Sequence, residues 1–343
     1  MPAKKKSEKK TEVSFPAFRL HDVEGRSAGR FEEITLSQLD LGELVVRVAY
    51  SSVNYKDALA ATGQGKIVRR FPCVGGIDLV GTVVSSESPD FNPGDEVIAT
   101  GFGLGVSHDG GYAQYARVPA AWAVSLPSPL TAFESMALGT AGFTAALALE
   151  RMEIMGLRQG RGPVAVTGAN GGVGSVAIAL LAAKGYEVVA FTSKPHAQER
   201  LKLLGASRVE MLPSVQERNV VAKPLMRVAW AGAIDNLGGD ALPWLLSGTA
   251  TGGCVASVGN ALGATFDGSV YPFILRGVSL LGIDSANCTL SLRQRLWAQL
   301  ATLVDGLHLP EITGTVALTQ LAELMPSFIN GQAQGRWVVD VNA

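Results

Sequence analysis

The chain has 343 residues, 47% of them hydrophobic, which is enough for two domains with separate cores. Its 29 basic and 30 acidic residues balance, so no general attraction to nucleic acid or to a membrane surface is expected. No apolar run long enough to span a membrane is free of charge and glycine, and residues 137–149 are expected to form a buried helix between domains.

The first twelve residues contain five lysines and lack the apolar core of a signal peptide. Because Glu8 and Glu12 lie among the lysines, a transit peptide is not indicated, and a disordered extension is predicted. The alternative is binding of nucleic acid through this tail, which predicts an affinity that disappears when residues 1–12 are removed.

The next region, to about residue 130, predicts a β-barrel-like domain. Short alternating or β-branched runs occur at residues 44–48, 81–84, 96–99 and 113–118. Gly, Pro and Asp separate these runs, as is typical of short strands joined by turns.

A buried strand, a glycine-rich turn and a helix over residues 175–184 follow one another from residue 163. Because backbone N–H groups and the positive end of a helix dipole bind a pyrophosphate, this order predicts a dinucleotide site. Gly168 allows the tight turn, and Gly174 allows the helix to pack against the strand. A flexible turn in an ordinary α/β protein is the alternative. The cofactor-binding residues predicted here are Thr167, Asn170, Gly171, Gly172 and Val173.

The following strand ends in Thr192, Ser193 and Lys194, where an NAD-binding site would carry a carboxylate for the ribose hydroxyls. Two hydroxyls and an ammonium, with no carboxylate, favour a 2′-phosphate, so NADPH is the predicted cofactor. Arg208 and Arg200 are weaker candidates for the same phosphate. A solvated loop lysine is the alternative for Lys194.

Strands and helices alternate from about residue 131 to residue 290, which predicts a parallel, doubly wound sheet. Asn260 follows a predicted strand and is expected to face the nicotinamide ribose. A helix at 292–303 and a strand at 336–341 are expected to pack back on the first domain. The strands predicted for the sheet are residues 164–167, 188–191, 228–235, 254–258 and 278–282.

Five segments match the signatures of one known family. Residues 51–59 contain S-x-x-N-Y-K-D, and residues 75–83 follow P-G-I-D-F-A-G-T-V with Gly75 in the place of proline. Together these segments resemble the zinc-free medium-chain dehydrogenases/reductases, in the acrylyl-CoA reductase branch of the quinone oxidoreductase family. The likeness runs from about residue 15 to the C-terminus. The shorter matches are residues 139–145, 272–277 and 281–285.

The resemblance implies an α/β protein with a Rossmann doubly wound parallel sheet plus a GroES-like, partly open β-barrel domain. It implies a cytoplasmic homodimer, with the strand at 278–282 pairing across the dimer edge as in relatives. Three scattered cysteines, which predict no disulfide framework, agree with that compartment. The implied division is a tail of residues 1–14, a substrate domain of residues 15–135 and 305–343, and a Rossmann NADPH-binding domain of residues 136–304.

The activity implied is NADPH-dependent reduction of acrylyl-CoA to propionyl-CoA. A hydride would reach the β-carbon and a proton the α-carbon, while hydrogen-bond donors stabilise the thioester oxygen. A zinc-free quinone or enone reductase is the alternative enzyme, and an NADPH-binding protein without catalysis is the alternative class.

The implied catalytic residues are Tyr55, Asn54 and Asp78. Tyr55 is expected to contact the nicotinamide and to donate to the substrate, unless it is a buried tyrosine that only satisfies backbone. Asn54 could instead order the turn, and Asp57 could cap a helix over residues 58–62. Asp78 could orient a donor or a water, with an ion pair as the equal alternative; Lys56, otherwise a surface lysine, is a possible partner.

Further site residues come from the same resemblance. Ile274 and Ser285 are expected near the cofactor, and Asp109, where the family often has an aromatic residue, could alter the acyl pocket. A basic rim could bind the phosphates of coenzyme A, although a solvated loop is the equal alternative. The rim consists of Lys66, Arg69 and Arg70.

No catalytic zinc is expected. Ile77 and Asp78 stand where zinc-dependent relatives carry a histidine and a glutamate, and residues 102–112 contain no cysteine for a structural zinc. A catalytic zinc needs three ligands, whereas the four histidines here are widely spaced.

Overall fold

The computed structural model describes residues 13–219 and 224–343. The lysine-rich residues 1–12, predicted to be a disordered tail, lie outside the described residues. Ser14, which was assigned to that tail, already belongs to the first strand.

The N-terminal region folds into short strands with one helix beside them, as the alternating pattern predicts. In β3, for example, buried Leu44, Val46 and Val48 alternate with more exposed residues and face the barrel core. The elements are β1 (Ser14–Val23), β2 (Arg26–Thr35), β3 (Leu44–Ser52), α1 (Tyr55–Thr62), β4 (Cys73–Val74), β5 (Asp78–Ser86), β6 (Glu96–Thr100), β7 (Tyr115–Val118) and β8 (Ala123–Ser125).

The central region alternates helices and strands. The helix after the glycine turn begins at Gly172 instead of the predicted residue 175, because the extended Gly171 (φ −81°, ψ 177°) already forms its N-cap. Because glycine has a low helix propensity, the residues at 172 and 174 do not indicate a helix from sequence alone. The elements are α2 (Ala132–Ile154), β9 (Val164–Val166), α3 (Gly172–Ala183), β10 (Val188–Thr192), α4 (Gln198–Leu203), β11 (Arg208–Met211), α5 (Val215–Arg218), β12 (Trp230–Asp235), α6 (Ala241–Gly248), β13 (Thr249–Ser257), α7 (Tyr271–Arg276), β14 (Ser279–Gly282) and α8 (Leu290–Leu303).

The central strands form one parallel sheet in the order β11-β10-β9-β12-β13-β14. Its two faces pack on different cores: Val164 and Val166 face one cluster, and Ala165 faces a second cluster that includes Trp230 and Trp244. The predicted parallel, doubly wound sheet is confirmed.

The C-terminal end returns to the barrel, as predicted. Its strand β16 pairs antiparallel with β3, and β15 pairs parallel with β16, so both extend the barrel sheet β15-β16-β3-β5-β6-β8. Strands β2, β1 and β4 form a smaller sheet. The elements of this end are α9 (Leu309–Ile312), β15 (Thr313–Ala317), α10 (Leu321–Ile329) and β16 (Arg336–Asp340).

Helix α2 packs against barrel strands β3, β5 and β16 and against central helices α3 and α8. By length and composition alone it could cross a membrane, but 78% of its apolar window is buried inside the protein. The buried interdomain helix predicted at residues 137–149 is therefore confirmed as part of α2.

Candidate active site in the interdomain cleft

A cleft of about 610 Å³ lies where the loops after the parallel strands meet the barrel domain. Loops at the carboxyl ends of such strands are the usual ligand-binding edge of this sheet type. The barrel side of the cleft includes the turn at the start of α1 and the segment before β16. The lining segments are residues 53–56, 140–141, 168–174, 191–194, 236–237, 258–262 and 283–286, with further single residues between them.

The glycine turn has the geometry that a pyrophosphate requires. Gly168 has a φ of +58°, which L residues rarely adopt, and a Cβ at Gly174 would lie 2.3 Å from the Gly168 carbonyl oxygen. Helix α3 starts here, so its first N–H groups face the cleft without helical partners. Predicted residues Asn170, Gly171, Gly172 and Val173 all line the cleft.

Asn170 carries a further sign of an anion site. Its side chain is 6% exposed, its Oδ1 accepts a hydrogen bond from Arg200, and its Nδ2 has no partner among the described residues. A buried donor without a partner is costly unless a ligand supplies the acceptor. The residues of the turn therefore fit a bound dinucleotide.

Thr192, Ser193 and Lys194 also line the cleft, as predicted, at the end of β10. The Lys194 ammonium donates to the carbonyl of Gly331, in the segment that precedes β16. Burial, together with the positive charge of Arg200, lowers the pKa of Lys194. Two neighbouring cations therefore meet at this end of the cleft, where a phosphate would relieve their repulsion.

Three predicted cofactor residues do not reach the cleft. Thr167 is fully buried and bonds Asp235 Oδ1 at 2.7 Å. Arg208 is exposed beside Glu187 and Glu210. Ile274, 66% exposed on α7, lies outside the cleft lining. By contrast Asn260 and Ser285 line the cleft as predicted.

Tyr55 begins α1 and lines the cleft. Its side chain is 41% exposed, and no hydrogen bond to its hydroxyl is found among the described residues. The alternative of a buried tyrosine that satisfies backbone is therefore wrong. The hydroxyl is available to a molecule in the cleft.

Asp78, by contrast, is fully buried and does not line the cleft. Its carboxylate accepts hydrogen bonds from Ser52 Oγ at 2.6 Å and from Asn54 Nδ2 at 2.8 Å. Arg336 donates to Asn54 Oδ1 at 3.2 Å, so both polar ends of the Asn54 side chain are occupied. Asp78 therefore has no direct access to a molecule in the cleft, and the predicted alternative of an ion pair is not found among the described residues. Asp78 and Asn54 order the turn that presents the tyrosine.

Helix α2 is broken at Gly139 (φ 50°, ψ −155°), and the buried side chains of Asp78 and Arg336 bond to the backbone at this break. In a continuous helix the Thr140 N–H would bond the Met136 carbonyl. Here the Thr140 N–H bonds Asp78 at 2.8 Å, and Arg336 donates to the Met136 carbonyl at 3.4 Å. Barrel residues thus satisfy both ends of a broken helical hydrogen bond and join the two domains below the cleft.

The helix begins at Tyr55, three residues before the predicted start, and its N-cap is Asn54 instead of Asp57. Asp57 lies in the first turn, where its carboxylate accepts the Asn54 N–H at 2.9 Å as the second half of a capping box. It also accepts the Ile77 N–H at 3.0 Å. Burial, reinforced by the charge of Asp78, raises the pKa of Asp57 to about 7. The turn below the tyrosine therefore contains a carboxyl that titrates near neutral pH.

The predicted basic rim does not lie at the cleft. Lys66 and Arg69 are exposed, and none of the three rim residues lines the cleft. The third, Arg70, pairs with Asp40 and with Asp109 at 3.4 Å. Asp109 is 1% exposed in this ion-pair cluster and does not line the cleft.

Comparison with known proteins places the chain in a family. Residues 40–128 match the alcohol dehydrogenase GroES-like domain, and residues 172–304 match the family described as zinc-binding dehydrogenase. The chain is 44% identical over 319 residues to acrylyl-CoA reductase AcuI of Ruegeria pomeroyi, covering 93% of this chain and 96% of that protein. The chain belongs to the medium-chain dehydrogenases/reductases. The resemblance and the fold class predicted from the motifs are confirmed.

Two solved structures of this family are similar over their whole length. Escherichia coli YhdH with bound NADPH is 43% identical, has a TM-score of 0.90, and is matched over 95% of this chain and 100% of that one. Bacillus subtilis YhfP with NAD bound is 42% identical, has a TM-score of 0.91, and is matched over 96% and 100%. In sequence, YhfP is described as a putative quinone oxidoreductase and is 46% identical over 89% of this chain and 93% of its own length.

The zinc in the second family description does not fit these residues. No group of three or more His, Cys, Asp or Glu side chains that could hold a metal occurs in residues 13–219 and 224–343. Asp78 stands at the position of a zinc ligand in zinc-dependent members. Here its carboxylate accepts hydrogen bonds from Ser52, Asn54 and Thr140 instead.

Three polar residues that line the cleft were not predicted from the sequence as site residues. Arg336 carries no mark in the sequence beyond its place in the last strand, and Asn236 follows an unremarkable strand. Lys56, interpreted as a surface lysine with Asp78 as a possible partner, lines the cleft. The pKa of Asp284 is lowered chiefly by hydrogen bonds from Asn287, with a smaller contribution from the charge of Lys56. Only the meeting of distant segments identifies them.

Proposed function

We propose that this protein reduces the C=C bond of acrylyl-CoA to propionyl-CoA with NADPH. The supporting observation is a single cleft in which the glycine turn and Lys194 meet the unpaired hydroxyl of Tyr55. The chemistry named for the Ruegeria relative and the NADPH bound by the Escherichia coli relative agree with this cleft.

In this proposal Ser193 and Lys194 bind the 2′-phosphate, and the glycine turn binds the pyrophosphate. Replacing Lys194 with Ala should raise the KM for NADPH about 10-fold or more, since a charge-assisted hydrogen bond contributes about 1.5–3 kcal/mol. The KM for NADH should change little. Steady-state kinetics with both cofactors measures this difference, and Lys202→Ala, in α4 outside the cleft lining, is the control.

An equal loss with both cofactors would contradict the assignment of Lys194 to the 2′-phosphate. A wild-type protein without preference for NADPH would contradict the cofactor proposal itself. The cofactor preference of the wild type is the stronger test, because the related YhfP structure contains NAD instead of NADPH.

When bound, the reduced nicotinamide supplies a hydride for the β-carbon of the substrate. Tyr55 donates a hydrogen bond to the substrate as negative charge moves to the thioester oxygen. Asn54, Asp78 and Arg336 hold the turn in place, so that the donor does not have to be ordered during the reaction. The α-carbon takes up a proton to complete the reduction.

A quinone or enone reductase is the second candidate. Two observations favour it: the name of YhfP, and the absence from the cleft lining of the three cations expected to bind coenzyme A. Turnover of acrylyl-CoA and of a quinone panel with NADPH separates the candidates. We expect a higher kcat/KM for acrylyl-CoA, and equal or faster turnover of quinones would overturn the first proposal.

We also propose a cytoplasmic homodimer. Strand β14 is one of the two edge strands of the parallel sheet, and an edge exposes backbone groups that a second copy can pair. Exposed apolar side chains accompany it: Ile274 is 66% exposed, Leu275 62% and Leu280 36%. Cys73, Cys254 and Cys288 are unpaired, which agrees with a reducing compartment.

A further inference from the structure

Arg293, on α8, is a buried cation whose guanidinium donates hydrogen bonds to three acceptors. Its side chain is 1% exposed, and no carboxylate lies at ion-pair distance among the described residues. Its Nη1 donates to Thr100 Oγ1 at 2.7 Å, and its Nη2 donates to the carbonyls of Ser285 and Ala286 at 3.0 and 3.2 Å. Burying a charge without an ion-pair partner costs folding free energy, so this arginine is a candidate for a role beyond packing.

The guanidinium joins the two domains. Its carbon lies 4.6 Å from the ring centre of Phe102, which follows barrel strand β6, and 4.7 Å from that of Phe143 in α2. Thr100 ends the same barrel strand, while Ser285 follows β14 of the parallel sheet. One side chain therefore holds four segments in a fixed arrangement.

The backbone that Arg293 holds forms one wall of the cleft. Ser285 and Ala286 line the cleft, and Ser285 also accepts a hydrogen bond from Thr144 Oγ1 at 2.8 Å. Across the seam, a Cβ on Gly101 would lie 3.0 Å from Ala286 Cα, so the barrel and this wall touch without spare space. A small shift of the wall would therefore change the width of the cleft.

Sheet order places this wall at the substrate end. The loops after β10, β9, β12, β13 and β14 follow one another along the sheet edge. With the 2′-phosphate at β10 and the pyrophosphate at β9, the cofactor extends over β12 and β13. The loop after β14, which contains Ser285 and Ala286, is then left for the reacting part of the substrate.

We propose that Arg293 is a positioning residue that sets the width of the acyl site and, with it, the preference between enoyl thioesters with and without a β-substituent. This inference rests on the proposed enoyl-CoA reduction. Arg293 touches neither substrate nor cofactor; it acts through the carbonyls of Ser285 and Ala286. A lysine cannot replace it, because one ammonium cannot span the three acceptors with the fixed geometry of the guanidinium fork.

The test compares Arg293→Met and Arg293→Lys with Arg295→Met. Arg295 lies on the same helix, is exposed, and pairs with Glu150 at 2.5 Å, so its variant is the matched control. The measurements are kcat/KM for acrylyl-CoA and for crotonyl-CoA, which carries one β-methyl group, and the dissociation constant of NADPH from its fluorescence.

In both Arg293 variants the preference for acrylyl-CoA over crotonyl-CoA should fall about 10-fold, the lower end of what one methyl group contributes in a fitted pocket. The NADPH dissociation constant should change less than about 2-fold, and Arg295→Met should match the wild type. An unchanged preference in a folded Arg293 variant would overturn the inference, as would a wild-type preference in Arg293→Lys.

Hydrogen exchange of the NADPH-bound protein gives a readout that does not depend on activity. Amides of residues 283–286 should exchange faster in Arg293→Lys than in the wild type, and equal rates would overturn the inference even if Arg293→Met fails to fold. Failure of the proposed function is seen separately, in the wild type alone, as a lack of acrylyl-CoA turnover.

Discussion

Tyr55 and Asp78 both lie at the turn that begins α1, where Asp78 accepts a hydrogen bond from Asn54, but the two side chains differ in burial. Tyr55 is 41% exposed at the cleft, whereas Asp78 is 0% exposed and surrounded by donors. A group without access cannot touch the substrate, so Asp78 acts only through the residues it holds. At the scale of single residues, exposure and hydrogen-bond partners decide the role more than residue type does.

Replacement of Tyr55 with Phe removes the hydroxyl and leaves the ring in place. We expect kcat for acrylyl-CoA to fall about 100-fold, the typical loss of one donor to a developing oxyanion, with little change in NADPH affinity. Steady-state kinetics and cofactor titration measure the two effects. Tyr271→Phe, on α7 and outside the cleft lining, is the control, and unchanged turnover in Tyr55→Phe would remove the hydroxyl from the chemistry.

Asp57 makes stability depend on pH. Its folded pKa of about 7 lies above the unfolded value of about 3.9, so its contribution is full below the unfolded pKa and is lost as pH rises through the folded one. The amide introduced by Asp57→Asn does not titrate. The unfolding free energy of the wild type minus that of Asp57→Asn should therefore fall between about pH 5 and about pH 8.

Urea unfolding across this range measures the difference between the two proteins. Asp305→Asn, at an exposed position, is the control for exchanging a carboxyl for an amide. A difference that stays constant or rises with pH would show that the folded pKa of Asp57 is not raised.

The break in α2 shows how one element serves both domains. At Gly139 the backbone has φ 50° and ψ −155°, a region open almost only to glycine. A Cβ there would lie 2.6 Å from Asp78 Oδ2 and 2.6 Å from Arg336 Nη2. The glycine therefore permits both the kink and the close approach of the buried ionic group to the helix.

Gly139→Ala combines backbone strain with crowding of that group. Gly156→Ala is its control, because Gly156 has a φ of +99° and open space around its missing Cβ. We expect Gly139→Ala to be more destabilising by about 1–3 kcal/mol, the usual cost of overpacking. Denaturant unfolding of both variants measures this, and equal losses would show that the crowding relaxes without cost.

For the whole molecule, the cleft exists because two domains meet along several seams. Arg336 of β16 donates to α2 at its kink, and Asp78 of β5 accepts from the same kink. Arg293 of α8 donates both to barrel strand β6 and to the loop after β14. Each of these interdomain contacts involves a residue that lines the cleft, such as Thr140, Ser285 or Arg336. The relative position of the domains, and with it the geometry of the site, is thus set by buried cations that hydrogen-bond across the interface.

Assembly of two such molecules through β14 gives a prediction at the same scale. Ile274→Lys combined with Leu280→Lys should convert a dimer to a monomer, because charges on an edge strand and its apolar border oppose pairing. Light scattering after size exclusion measures the mass. Leu41→Lys, at a 79% exposed position outside this patch, should remain dimeric, and a monomeric wild type would contradict the proposal.

Local patterns in the sequence were enough for the glycine turn, the parallel sheet and the barrel strands. A phosphate-binding turn is built from neighbouring backbone groups, and strand periodicity needs only adjacent residues, so both are written locally. Tertiary structure alone decided that Asp78 is buried, that the three cations of the predicted rim lie away from the cleft, and that Arg336 reaches the turn at the start of α1. Those outcomes depend on contacts between segments far apart in the chain, which no local pattern specifies.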